Sequence, residues 1–93
     1  MVISGGNKQS GTAGTQLLKP LSVTVKDQFG NLVAGVTVQF SDGGVGGSFS
    51  NPAPVTGTNG QASVMYTLPG TPQTVTITAT ANGFVVTFTE IAK

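Results

Sequence analysis

The chain has 93 residues, a formal net charge of +1, and charged side chains at only 8% of its positions. Those side chains are Lys8, Lys19, Lys26, Lys93, Asp27, Asp42 and Glu90, too few to follow a nucleic-acid backbone or to bind an anionic membrane surface. Cys and His are absent, which removes disulfides, thiolate metal sites, the commonest zinc ligand and the usual general base near neutral pH.

Val2 and Ile3 predict a short first strand. The opening MVISGGNKQS has no basic region followed by a long apolar stretch, so it does not read as a signal peptide. Asn7 to Thr15 is polar and Gly-rich, which predicts a loop or a loosely paired edge. Leu21, Val23 and Val25 alternate with Ser22, Thr24 and Lys26. That period of two marks a strand with one apolar face. The patch KDQFGN follows and reads as a strand end and a corner. Asp27 is placed to accept backbone N–H bonds there, with Gly30 and Asn31 supplying unusual φ values and Phe29 covering one end of the core.

Val36, Val38 and Phe40 then alternate with Thr37, Gln39 and Ser41. Asp42, Gly43, Gly44, Val45, Gly46 and Gly47 form an inter-strand loop. It is the candidate interaction loop, because binding residues gather on loops held by a rigid scaffold. A short strand is expected around Phe49, and the prolines of Asn51-Pro52-Ala53-Pro54 bar a central strand. Asn59-Gly60 is a turn before the run Ala62, Val64, Tyr66, Leu68. Pro69-Gly70-Thr71-Pro72 ends that run. Val75, Ile77 and Ala79 lead to Asn82-Gly83, the strongest hairpin signal in the chain. Phe84, Val86 and Phe88 form the last run.

No window repeats at 3.6, so no α-helix is predicted, and no apolar run approaches the ~20 residues of a membrane-spanning helix. The reading is all-β. About seven short strands form an antiparallel, immunoglobulin-like sandwich over residues 1–93, one domain, with a small closed barrel as the competing architecture. The expected core is Leu21, Val23, Val25, Val36, Val38, Phe40, Phe49, Val64, Tyr66, Leu68, Val75, Ile77, Phe84, Val86 and Phe88.

The order of these segments resembles the bacterial immunoglobulin-like domains of group 1, the invasin and intimin repeat type. The residues that carry it are Val25, Asp27, Gly30 and Asn31, then Val33, Gly35, Val36, Val38 and Phe40. GGSFS at 46–50, TGTNGQASVMYTL at 56–68 and TVTITATANG at 74–83 follow in the family's order. The resemblance implies a seven-stranded sandwich used in tandem on bacterial surface or secreted proteins. Its expected partners are neighbouring repeats. In such adhesins the repeats mostly form a stalk, and receptor binding usually sits in a separate tip domain. If the parent is exported, its targeting signal lies outside these residues.

The chemistry-bearing residues are sparse. Any base would have to be Asp27, Asp42, Glu90 or a Lys, with no partner in sequence reach, so no enzyme activity, cofactor or metal is expected. GGVGGS at 43–48 lacks the Gly-Lys-Ser/Thr of a phosphate loop. Asp27 and Asp42 are too few for a strong calcium site. Lys26 faces outward, and Glu90 falls on the inner face by parity but past Phe88, where the sandwich is expected to open to solvent. The expected role is therefore a spacer or stalk module. The alternatives are an adhesive module using the loops of one pole, Asp42 to Gly47 with Asn51 to Thr58, for a carbohydrate or protein ligand, and an assembly module that pairs through a strand edge into a weak dimer.

Overall fold

Alternating Val/Thr runs become strands because a branched Cβ suits the pleated backbone, and burying every second side chain drives two such surfaces together. The computed structural model describes all residues, 1–93. It contains nine short strands and no helix: β1 (Val2–Gly5), β2 (Ser10–Gly11), β3 (Leu21–Thr24), β4 (Gln39–Ser41), β5 (Ser48–Phe49), β6 (Gln61–Val64), β7 (Tyr66–Thr67), β8 (Gln73–Ala81) and β9 (Phe84–Ala92). One sheet runs β1-β3-β6 and a second runs β2-β9-β8-β4, with β5 and β7 paired beside them. The layers are those of a sandwich, not a closed barrel. All pairings are antiparallel except β2 with β9, which is parallel through Ser10↔Ile91 and Gly11↔Ala92. The polar segment 7–15 is thus a loosely paired edge.

Two predicted runs are shorter as strands than their alternation suggests. The run from Val36 is a ladder strand only from Gln39, because upstream of it the chain pairs through the single bridge Thr37↔Val55 and through Val38 N–H to Pro54 O (2.9 Å). Pro54 offers an acceptor but no donor, so a regular ladder cannot form there. The run 62–68 is divided between sheets: β6 pairs with β3, whereas β7 pairs with β5. Parity survives the division, and Ala62, Val64, Tyr66 and Leu68 are all buried.

The core forms between the sheets from Leu21, Val23, Val25, Val38, Phe40, Val64, Tyr66, Leu68, Val75, Ile77 and Phe88, as alternation predicts. It also takes in Leu17 and the small residues Ala62, Ala79, Ala81 and Ala92. Four expected core residues differ. Val36, Phe49 and Val86 are half-buried at the margin. Phe84 is 62% exposed. It follows the Asn82-Gly83 turn at the extreme end of the β8–β9 hairpin, beyond the reach of the opposite sheet. Phe29 is 79% exposed and covers nothing.

Glu90 is the opposite case. It is fully buried, not at an opening to solvent. The reason is β2, which folds back along the second half of β9 and closes the sandwich over it.

The molecule measures 42 × 21 × 18 Å. Met1 lies beside Asn82 at the tip of the β8–β9 hairpin. Lys93 lies beyond Ala92, which pairs with Gln73 at the other end of β8. Nine residues of strand separate these places, about 27 Å. The first and last residues therefore lie at opposite poles.

Candidate functional site

The corner at Asp27 is built as its residue types require. Asp27 Oδ1 accepts the N–H groups of Phe29 and Asn31, both at 2.9 Å, and Oδ2 accepts the Asn31 side-chain amide at 3.2 Å. Gly30 has φ +82°, a left-handed value that costs a residue with a Cβ, while Asn31 does not. The Asn31 backbone N–H does most to hold the Asp27 carboxyl below its usual range. Asn59-Gly60 and Asn82-Gly83 are turns as expected, with Gly60 at φ +71°, Asn82 at +50° and Gly83 at +81°. Asn59 Oδ1 accepts the Gln61 N–H at 3.1 Å.

The Asp42–Gly47 loop is tied down by its own acid. Asp42 Oδ1 accepts the Gly44 N–H (2.9 Å), and Oδ2 accepts the Gly47 N–H (3.1 Å) and the Tyr66 hydroxyl (2.8 Å). Tyr66 is buried, with its ring 4.7 Å from that of Phe49, and Phe49 in turn packs 6.0 Å from Phe40. Burial first, and then the Asp42 carboxylate, push the Tyr66 hydroxyl well above its ordinary range, so it stays a proton donor. A Cβ on Gly47 would strike the Tyr66 Oη, so only glycine fits there. The six-residue loop is an ordered surface whose acidic oxygens are already engaged. Asp27 and Asp42 lie in separate turns, and no group of three or more acidic side chains comes together.

Two side chains that sequence reasoning passed over organise the interior. Thr56 is buried; its Oγ1 accepts the Val36 N–H (2.9 Å) and donates to Val33 O (2.8 Å), clasping the approach to β4. Glu90 has one partner: Oε2 accepts the Gln9 N–H at 2.7 Å, and Oε1 is buried without any. Burial pushes this carboxyl up to about 7, against a smaller lowering by the Gln9 N–H. Gln9 also joins the segment internally: its side chain donates to Gly6 O (2.8 Å) and Lys19 O (2.9 Å) and accepts the Lys19 N–H (3.0 Å).

One open cleft, of about 430 Å³, lies at the Met1 pole. Met1, Val25, Val33, Ala81 and Phe84 give it an apolar lining, and Lys26, Asp27, Gln28 and Asn82 supply polar groups. The predicted corner is therefore one wall of a cavity that alternation alone could not reveal. The available signal was position: Phe84 directly follows a two-residue turn, where strand parity no longer implies cover.

The sequence profile described as bacterial Ig-like domain (group 1) matches residues 6–91. The chain belongs to this family. This Ig-like domain also superimposes on solved structures of intimin. It is similar to the D00-D0 domain of intimin, with TM-score 0.73 and 20% identity over 99% of this chain and 45% of that one. It is likewise similar to the D0-D1 domain of intimin, with TM-score 0.74 and 19% identity over 98% of this chain and 48% of that one. A third likeness is to a C-terminal 282-residue fragment of intimin in complex with the translocated intimin receptor's intimin-binding domain. There the TM-score is 0.69, with 21% identity over all of this chain and 30% of that one. At these identities the likeness shows the fold. The Ig-like domain spans less than half the length of each of these solved chains. No curated protein matches its sequence.

Proposed function

We propose that residues 1–93 form one non-catalytic repeat that acts as a spacer in the stalk of a bacterial surface or secreted protein, joined end to end with neighbouring Ig-like repeats. The observation that carries this reading is the placement of Met1 and Lys93 at opposite poles of a body 42 Å long. Copies linked through those poles extend in a line and do not fold back on one another. Membership of the bacterial Ig-like family supports the reading, as does likeness to multi-domain intimin chains of which this fold occupies a part.

The Asp42–Gly47 loop enters this proposal as a stiff contact surface for the repeat joined after Lys93. Gly46 approaches Pro69, Pro69 O accepts the Gly14 N–H, and Lys93 O accepts the Ala13 N–H, so the loop stands on the Lys93 side of the domain. The test is small-angle scattering from chains of one, two and three tandem copies. A spacer lengthens by about 42 Å per copy. A three-copy chain whose maximum dimension stays near that of one or two copies overturns the reading.

A further inference from the structure

Sheet edges in this domain are guarded unequally. Beyond β4, the segment Pro52–Val55 covers the edge: Phe40 N–H bonds Pro52 O (2.8 Å) and Val38 N–H bonds Pro54 O (2.9 Å). β1 is irregular, with a register shift between Ile3 and Gly5. Past the end of β6, Met65 exchanges hydrogen bonds with Ser50. β9 is different. Its pairing with β8 places Phe84 opposite Ala81 next to the turn, so alternate residues from Phe84 bond β8 and those from Val85 face away.

On that outer side the second half of β9 is occupied. Lys8 N–H bonds Thr89 O (3.0 Å), Asn7 Oδ1 takes the Thr89 N–H (2.9 Å), and Ile91 N–H bonds Gln9 O (2.9 Å). The first half is bare. Val85 and Thr87 turn N–H and C=O groups outward with no strand hydrogen-bonded to them; β1 comes near β9 but pairs with β3 in the other sheet. No Lys, Pro, bulge or charge interrupts Phe84 to Phe88, and these are the usual guards of such an edge. Val85 is 57% exposed, and Phe84 at the end of the edge lines the 430 Å³ cleft.

We propose that the open edge of β9 from Phe84 to Thr87, together with this cleft, takes an extended, uncharged peptide segment of a partner protein as an added strand. The backbone of the segment satisfies Val85 and Thr87, and one apolar side chain turns into the cleft beside Phe84. The unpaired groups select extended backbone, because only a strand supplies donors and acceptors at their spacing. Phe84 to Phe88 carry no charge, and the cleft's Lys26 and Asp27 balance each other, so no net charge at the site favours a charged segment over an uncharged one. A second copy of the chain fits poorly. In a parallel approach its β9 would run down into Asn7 and Lys8. In an antiparallel approach its own β8–β9 turn would meet them, and only the rung at Val85 remains. A free linear segment that ends or turns away at Asn7 has neither obstacle. This inference stands apart from the spacer reading, since a stalk repeat can also carry a docking edge.

The probe is the capped peptide acetyl-Thr-Val-Phe-Val-Thr-amide, titrated into the 15N-labelled domain and followed by amide chemical shifts. The expected result is saturable shifts concentrated at Val85, Thr87, Phe84 and the cleft residue Asn82. The same peptide with alternate amides N-methylated, which keeps the side chains but removes the donors, binds at least tenfold more weakly. V85P deletes an N–H that no bond inside the domain uses, and V85K keeps the N–H but adds a guarding charge. Both lose the shifts while the rest of the spectrum is retained. No shifts at millimolar peptide, equal binding of the N-methylated peptide, or unchanged binding by V85K overturns the proposal. Self-association of the domain abolished by V85K also overturns it, by assigning the edge to a second copy.

Discussion

Replacing Glu90 with Gln isolates a single titration. The chain has no His and only three acids, and Asp27 is held below its ordinary value. Between pH 4.5 and 7 the group set to titrate differently on folding is Glu90. In the unfolded chain its carboxyl loses its proton near 4.5; in the fold it keeps it to about 7. The folded state therefore binds more protons across this window, and stability falls as pH rises through it. It is highest below 4.5 and levels off above about 7. A shift from 4.5 to about 7 corresponds to at most about 3–4 kcal/mol, at ~1.4 kcal/mol per unit. That is a large part of the ~5–15 kcal/mol that holds a domain of this size together. The physical origin is visible: an ionised Glu90 carries a buried charge with one hydrogen bond to Gln9 and nothing on Oε1. E90Q keeps the shape and leaves an oxygen to accept the Gln9 N–H. Urea unfolding from pH 4.5 to 8 checks this. Wild-type stability is expected to fall by about 2–3 kcal/mol and then level, E90Q is expected to stay flat, and the variant should be the more stable protein above pH 7. Wild-type stability that is constant or rising between pH 4.5 and 7 refutes the reasoning, as does an E90Q curve with the wild-type slope.

Five further substitutions test the packing by thermal or denaturant unfolding. F84A is expected to cost less than about 1 kcal/mol, because the side chain is mostly in solvent, whereas F88A should cost about 3–5 kcal/mol through the cavity it leaves; equal costs would contradict the open pole. T56V preserves volume but strands the Val36 N–H and Val33 C=O, which should cost about 1–3 kcal/mol, and an unchanged midpoint would show that Thr56 clasps nothing. Y66F should cost about 1 kcal/mol by removing the hydroxyl that holds Asp42. G47A should cost more than Y66F, since its Cβ meets Tyr66 and the Thr67 carbonyl, and a neutral G47A would refute the fixed loop.

Alternation made the interior of the sandwich legible because period two reports which face of a strand is covered. It is silent on where along a strand the cover stops. Phe84 and Glu90 have inward parity alike, yet one stands in solvent and the other is sealed. What separates them is β2, two residues of strand in a Gly-rich segment too short to show any period. Turn chemistry was equally readable at Asp27, Gly30, Asn59-Gly60 and Asn82-Gly83, where local hydrogen bonds and positive φ decide the conformation. The fixing of the Asp42 loop was not, because its key partner is Tyr66, 24 positions away. The cleft was hidden for the same reason: its walls come from three distant segments.

The parallel pairing of β2 with β9 sets how this domain would carry tension. Pulled apart at Met1 and Lys93, β2 is drawn toward one pole and β9 toward the other, along their common axis. The bonds Lys8–Thr89, Gln9–Ile91 and Gly11–Lys93 then lie across the load and share it at once. An antiparallel hairpin pulled open at its ends would instead be peeled one rung at a time. β1, paired antiparallel with β3 and pulled from its Met1 end, also slides lengthwise instead of peeling. Both terminal strands thus meet force in shear, so extension is resisted until several bonds rupture together, and the domain yields in one abrupt step.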